Sequence, residues 1–236
     1  MSRRILFVFE GEKQEVNYSK SFIDKFFSPQ TIILTSFCND LYELWKSLSN
    51  DADLDMFELL KEIKINKQLA DIEDRDVITE IYLFFDLEIQ DNQFSFEKLR
   101  DMLLFFNEET TRGKLFISYP MIEAIRDVPD FDGFINHFID VDKCVGSKYK
   151  SISAERGMKD LAHAKKITRE TWVNITKASV LKVRALDAFD HSDENKMQVK
   201  ISHVQEEIFN ESSRIAVLSS FPLFLYDYFG SSEFNF

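Results

Sequence analysis

Glycine and proline are scarce, at 6 and 4 in 236 residues. So few chain breakers exclude a flexible linker or a low-complexity tract, and no internal repeat is present. The two cysteines, Cys38 and Cys144, lack metal-ligand spacing. That excludes a disulfide scaffold and a thiolate zinc site, and predicts two small core residues in a reducing compartment. Histidine is sparse as well. His163, in LAHAKK at helical spacing, and His191, in the polar loop DAFDHSDEN, have no His, Cys or Asp partner at metal spacing. No apolar run approaches the ~20 residues of a membrane span. The run in MSRRILFVFEG is too short for a signal-peptide core and is cut at once by an acid, so it is expected to be the first strand of a cytoplasmic protein without membrane association. There is no Walker motif, no GxGxxG and no nucleophile elbow, which argues against nucleotide hydrolysis and hydride transfer.

What the chain does have is phenylalanine and unevenly placed charge. An apolar fraction of 44% with 24 Phe predicts a real core. The net charge of −12 argues against a surface that grips nucleic acid everywhere. Yet residues 1–142 carry −14, Lys143–Lys200 carry +6, and the remainder −4. An acidic N-terminal part followed by one basic segment suits a metal site beside a surface for a polyanion. A solvated basic helix pair gives the same count.

In chain order, Ile5 to Phe9 reads as a strand buried on both faces, ending at Glu10-Gly11. Tyr18, Phe22, Ile23, Phe26 and Phe27 fall at helical spacing, with Pro29 as the stop. Thr31–Thr35 is a second strand. Asn39 or Asp40 caps a helix through Leu48, and Asp51–Lys64 predicts another. Ile81 to Phe85 is a third strand that ends on Asp86. A helix over Phe94–Phe106 and a strand at Lys114–Ser118 follow, then a short helix opened by Pro120. Alternating strands and helices predict an α/β fold with a mostly parallel sheet flanked by helices over residues 1–142. Residues 143–236 predict a mainly helical extension packed on that core. It follows a candidate strand at Ile139–Val145 and has helices near 155–183 and 200–211 and an apolar PLFLYDYFG stopped by Gly230.

Two strands therefore end in carboxylates: Glu10, with Glu12 and Glu15 behind it, and Asp86, with Glu88 and Asp91 in FFDLEIQD. In a parallel sheet these ends share one edge, and neighbouring strands lie ~4.8 Å apart. Converging carboxylates repel one another unless a cation neutralises them. An all-oxygen set selects Mg²⁺, Mn²⁺ or Ca²⁺ over zinc, and such an ion can polarise a phosphoryl oxygen and activate water.

An apolar strand, Glu-Gly, polar residues and a second Glu in EGEKQEVNY, then a later strand ending in an Asp-x-acid pair, resembles the TOPRIM domain. The nearest variants are the OLD-like and RloB-like nucleases of bacterial defence systems, and the resemblance covers about residues 4–125. It implies a TOPRIM-like core and a metal-dependent nuclease acting on DNA or RNA, tRNA included. The nuclease would be the effector of an anti-phage or toxin system with a partner ATPase of the ABC/SMC type, and with self-association left open. Glu10 corresponds to the glutamate that serves as metal ligand or general base, and Asp86 to the first Asp of the Asp-x-Asp pair. Glu88 stands where that pair has a second Asp, and Glu15 matches the second glutamate. SYPMIEAI, a strand followed by a proline and then by an acid three residues on, resembles a further RloB-like segment and adds Glu123. Lys148 or Lys150 would supply the lysine placed near the scissile phosphate. Plainer roles are open for several of these: Glu15 suits a helix dipole, Asp91 a loop, Glu123 a solvated helix face, and the lysines the surface. The alternative for the whole chain is a catalytically weak or inactive TOPRIM-like module that acts by docking on a partner protein.

Overall fold

A computed structural model describes residues 3–28, 30–51, 54–188, 196–234 and 236. Pro29 and His191 lie outside these residues. β1 (Arg4–Phe9) leads into α1 (Gln14–Phe26), β2 (Ile32–Ser36), α2 (Leu41–Asn50), α3 (Met56–Glu62), β3 (Ile78–Asp86) and α4 (Phe96–Phe105). β4 (Asn107–Glu108) and β5 (Gly113–Ser118) complete a five-stranded sheet in the order β2-β1-β3-β5-β4. All pairs are parallel except β4 with β5. The fold is thus α/β with a mostly parallel sheet flanked by helices, as the alternation predicted. The antiparallel β4 was not expected, because two residues carry no period. Gly113 makes the turn into β5. Its φ is +91° and a Cβ there would sit 3.0 Å from Ile81, so only glycine suits it.

Beyond β5 come β6 (Phe138–Asp140), α5 (Gly146–Arg156), α6 (Arg169–Ala185), α7 (Met197–Ser212), β7 (Arg214–Ala216) and α8 (Ser220–Glu233). The predicted helix near 155–183 is two helices. Gly157 ends the first: a Cβ there would lie 1.9 Å from the Arg126 carbonyl oxygen, so the chain passes too close for any side chain. His163 consequently lies in a loop rather than on a helix. The expected strand at Ile139–Val145 shortens to β6 and a 3-10 turn at Val141–Lys143, and Asp51–Lys64 shortens to α3, capped by Asp55. Pro120 follows a cis peptide bond and precedes a 3-10 turn at Ile122–Ile125, so it does not open a helix. Cys144 is buried, but Cys38 is exposed at φ +63°, contrary to its expected core position. Among the described residues no helix is long and apolar enough to cross a membrane.

The parallel register pairs Phe7 with Tyr82 and Phe9 with Phe84, and Phe84 with Phe116. Same-face residues on neighbouring strands stack into a ring row, Phe9–Phe84–Phe116, with centroids 5.5 and 6.0 Å apart. α8 lies across this row. Phe224 meets Phe7, Tyr82, Phe84 and Phe116 at 4.8–5.7 Å, mostly edge to face. The C-terminal apolar stretch is therefore core. Lys114 on β5 donates to both Asp227 oxygens, at 2.8 and 2.7 Å, with both side chains nearly buried. β6 pairs with β7, so the extension is sewn to the chain before residue 142.

Removing one partner of a buried ion pair strands the other charge. Asp227→Ala should lower unfolding stability by about 3–5 kcal/mol in denaturant titrations, and Lys114→Met/Asp227→Leu should recover most of that loss.

Candidate metal centre

β1 and β3 run in register to Phe9 opposite Phe84, so the residues that follow leave the sheet side by side. The Glu10 amide donates to the Phe84 carbonyl at 3.4 Å, and the Asp86 amide donates to Glu10 Oε2 at 3.2 Å. On the other side, the Cys38 amide donates to the Glu10 carbonyl and the Ser36 hydroxyl to the Gly11 carbonyl. The Glu10 turn is thus tied to both neighbouring strands. Glu88 follows in the left-handed region, at φ +51°. A non-glycine residue held there costs on the order of 1 kcal/mol. That turn returns its longer side chain to the strand ends, where Glu10, Asp86 and Glu88 offer oxygens all within 4.8 Å of one another.

The three half-buried carboxylates line a cleft of about 600 Å³ together with Glu12, Glu15 and Glu123. Glu15, in the first turn of α1, lays its carboxylate over Gly11. Its charge adds to the potential at both Glu10 and Asp86. Glu123 sits on the 3-10 turn after β5 and is 1% exposed. Neither of its oxygens has a hydrogen-bond partner. Lys150 Nζ stands 3.7 Å from its Oε1. A buried carboxylate that accepts no hydrogen bond is costly, and here the Lys150 charge offsets part of that cost. Asp91 does not join the group. Its Oδ1 accepts the Gln93 amide at 2.6 Å, as a turn acid does.

Lys148 does not face the cleft. It is exposed on α5 and donates to the Asp142 carbonyl (2.9 Å) and carboxylate (3.1 Å). Lys150 lies about 200° further around that helix and lines the cleft instead. Cys144 and Lys13 also border it, and no sequence pattern pointed to either as part of the site. Nearby, buried Asp127 accepts from Tyr149 (2.8 Å), Arg156 Nε (2.6 Å) and His137 (3.1 Å). These donors hold it down at about 2, although burial opposes them. With its oxygens taken up, Asp127 fastens α5, the helix that carries Lys150.

Burial and the Glu88 charge push Glu10 up from 4.5 to about 8. Burial, then Glu10, Glu15, Glu123 and Glu88, holds Asp86 well above the usual carboxylate range. Glu88 is also raised, chiefly by burial, and shares a hydrogen bond with Glu10. The cation-free cluster therefore keeps a proton between carboxyls at neutral pH. The donor set is all oxygen, closely spaced and short of positive charge, which fits a hard divalent cation such as Mg²⁺ or Mn²⁺. Comparison with known protein families, curated proteins and solved structures yields no match.

A group whose pKa rises on folding favours the folded state below its unfolded value and loses that contribution as pH climbs to the folded value. In EDTA the melting temperature should fall as pH rises from about 4.5 to about 8, the span between the two Glu10 values. Saturating Mn²⁺ should reverse the trend, adding about 5–10 °C near pH 8 and much less near pH 5. Glu88→Asn removes one charge and suits the left-handed backbone. In EDTA at pH 8 it should be more stable than wild type by about 1 kcal/mol, with the Mn²⁺ increment abolished in differential scanning calorimetry.

Proposed function

We propose that this chain is a divalent-metal-dependent nuclease with a TOPRIM-like core, hydrolysing phosphodiester bonds in DNA or RNA. The observation that carries the reading is the convergence of Glu10, Asp86 and Glu88 within 4.8 Å at adjacent parallel strand ends. It is supported by the buried, unbonded Glu123 oxygens in the same cleft. Glu10, Asp86 and Glu88 would hold the cation, with Glu15 and Glu123 completing the negative surround. A cation held there would supply Lewis-acid polarisation of a phosphoryl oxygen and offset charge on the phosphate.

The chain's own groups divide the remaining work. The Asp86 amide fixes the orientation of the Glu10 carboxylate through Oε2. Because the three carboxyls share a proton in the free cluster, binding a cation there would compete with that proton, so affinity for the cation should rise with pH. Lys150, beside Glu123, brings a positive charge to the wall of the cleft where a phosphate oxygen would sit. Ile89, Met121 and Val145 add apolar surface to the same lining. The resemblance of EGEKQEVNY and FFDLEIQD to OLD-like and RloB-like segments extends the proposal to a defence or toxin effector working with a partner ATPase.

The test pairs binding with cleavage. Isothermal titration should give Mg²⁺ or Mn²⁺ binding to wild type and none to Glu10→Ala. Plasmid DNA and total tRNA incubated with Mn²⁺ should be cut by wild type and at least about 100-fold more slowly by Asp86→Ala. Absence of metal binding in wild type would replace this reading with a non-catalytic docking module. Undiminished cutting by Asp86→Ala would place the activity outside the cluster.

A further inference from the structure

A second cleft, of about 630 Å³, adjoins the first and shares Lys13 and Gln14 with it. Its character is opposite. Arg126, His163, Lys165 and Lys166 line it, and the lining contains no carboxylate. Among the described residues, Lys13, Lys165 and Lys166 form no ion pair. Arg126 is held by the Ser153 hydroxyl (3.1 Å) and the Lys150 carbonyl (2.9 Å), so its charge is not neutralised by an acid. In a chain of net charge −12, these uncompensated cations sit together beside the carboxylate cluster.

The cationic wall is built rather than loose. The Tyr18 hydroxyl on α1 donates to the Leu161 carbonyl at 3.0 Å. The Met158 amide donates to the Val128 carbonyl at 2.9 Å, and the Lys166 amide to the His163 carbonyl at 2.8 Å. Leu161 and Ile167 are buried at either end of the segment. Between those anchors, a 3-10 turn at Ala164–Lys166 presents Lys165 and Lys166 to solvent. α1 begins at the junction of the clefts, and no side chain caps its N-terminus, so its first amides add partial positive charge there. Tyr18, the one ring in the lining besides the imidazole of His163, is buried and tied to Leu161, so the cleft lacks a broad platform on which a base could stack.

We propose that a polynucleotide strand leaving the carboxylate cluster runs over Lys13 into the cleft of Arg126, Lys165 and Lys166, gripped by its phosphates and not by its bases. The inference rests on the reading of the cluster as a phosphodiester centre. It adds a direction for the substrate, a requirement for phosphates on one side of the scissile bond, and indifference to sequence. Affinity then comes from counterion release and falls steeply with salt.

Fluorescence anisotropy in EDTA, with a labelled oligonucleotide of about 20 nucleotides, reads this grip without any cleavage. Wild type should bind two unrelated sequences within about twofold of each other, as backbone contacts carry no sequence information. Lys165→Glu/Lys166→Glu should weaken binding at least tenfold and reduce the slope of log affinity against log salt by about 2, one per lost phosphate contact. Lys13→Gln, a milder change at the shared residue, should weaken it about threefold or more. The control Lys46→Glu/Lys98→Glu makes the same change in net charge elsewhere and should bind as wild type does. The Mn²⁺-induced thermal shift of each variant verifies the fold and is expected to persist. Equal losses in the control and the Lys165/Lys166 pair, or no loss in either, would overturn the track. So would a wild type that binds no oligonucleotide, or displacement by polyglutamate as effective as by unlabelled oligonucleotide, which would mark an acidic-peptide cleft. Metal titration is read separately, so a wild type that binds the strand but no cation would refute the nuclease and leave the track standing.

Discussion

The register of β1 on β3 is the constraint from which the site follows. With Phe9 opposite Phe84, Glu10 and Asp86 emerge from adjacent strands at the same edge. Hydrogen bonds from the Glu10 amide to Phe84 and from the Asp86 amide to Glu10 prevent the two segments from diverging. A slip of one residue would turn every side chain of β1 to the opposite face and separate the pair. Burial first and the neighbouring carboxylates second keep Glu10 and Asp86 from ionising readily, and burial raises Glu88 as well. The fold thus holds an electrostatic cost at its strand ends, and Glu88 in the left-handed region adds backbone strain to it.

Such a cost persists only where the surrounding structure over-determines the geometry. Here the aromatic row does so. Phe9, Phe84 and Phe116 stack across three strands, and Phe224 from α8 closes over them. The Lys114–Asp227 pair fixes α8 at the far end of the same face. The Ser118 and Ser220 hydroxyls meet at 2.9 Å just behind the cleft, so β5 and α8 are also joined next to the site. The C-terminal helices therefore hold the strand ends in place through the core, without contributing a carboxylate to the cluster.

Much of this was legible in the sequence, and the parts that were not have physical reasons. Ile5–Phe9 and Ile81–Phe85 read as buried parallel strands because continuous apolar runs ending on acids have few other uses, and their order gave the Glu10–Asp86–Glu88 convergence. The segment after residue 142 was harder. Where α5 stops depends on the Arg126 backbone passing against Gly157, a contact distant in sequence. Choosing Lys150 over Lys148 required knowing the rotation of a short helix whose start at Gly146 has no capping side chain. Glu123 carried the signal of an acid near a strand end, but its burial comes from the packing of the turn after β5 and could not be read from periodicity. The basic excess of Lys143–Lys200 was visible as a sum. Its division between paired charges, such as Arg156 with Asp127, and unpaired ones, such as Lys165 and Lys166, was not.

That division bears on how an acidic protein can hold a polyanion. Net charge governs the far field, where −12 repels a nucleic acid, but screening confines that repulsion to about 8–10 Å at ordinary ionic strength. Within that distance the local arrangement decides. On the proposed reading, a carboxylate cluster alone would repel a phosphate, and a cationic cleft alone would hold a strand without acting on it. Lys13 belongs to both clefts, three residues after Glu10 on one short turn. The same segment that delivers the first carboxylate thus places the first positive charge beyond it. A divalent cation at the cluster would offset much of the negative charge of the inner cleft and so lower the electrostatic barrier between the two clefts. Occupancy by the ion and by the strand should therefore reinforce each other, because each lowers the electrostatic cost that the other meets.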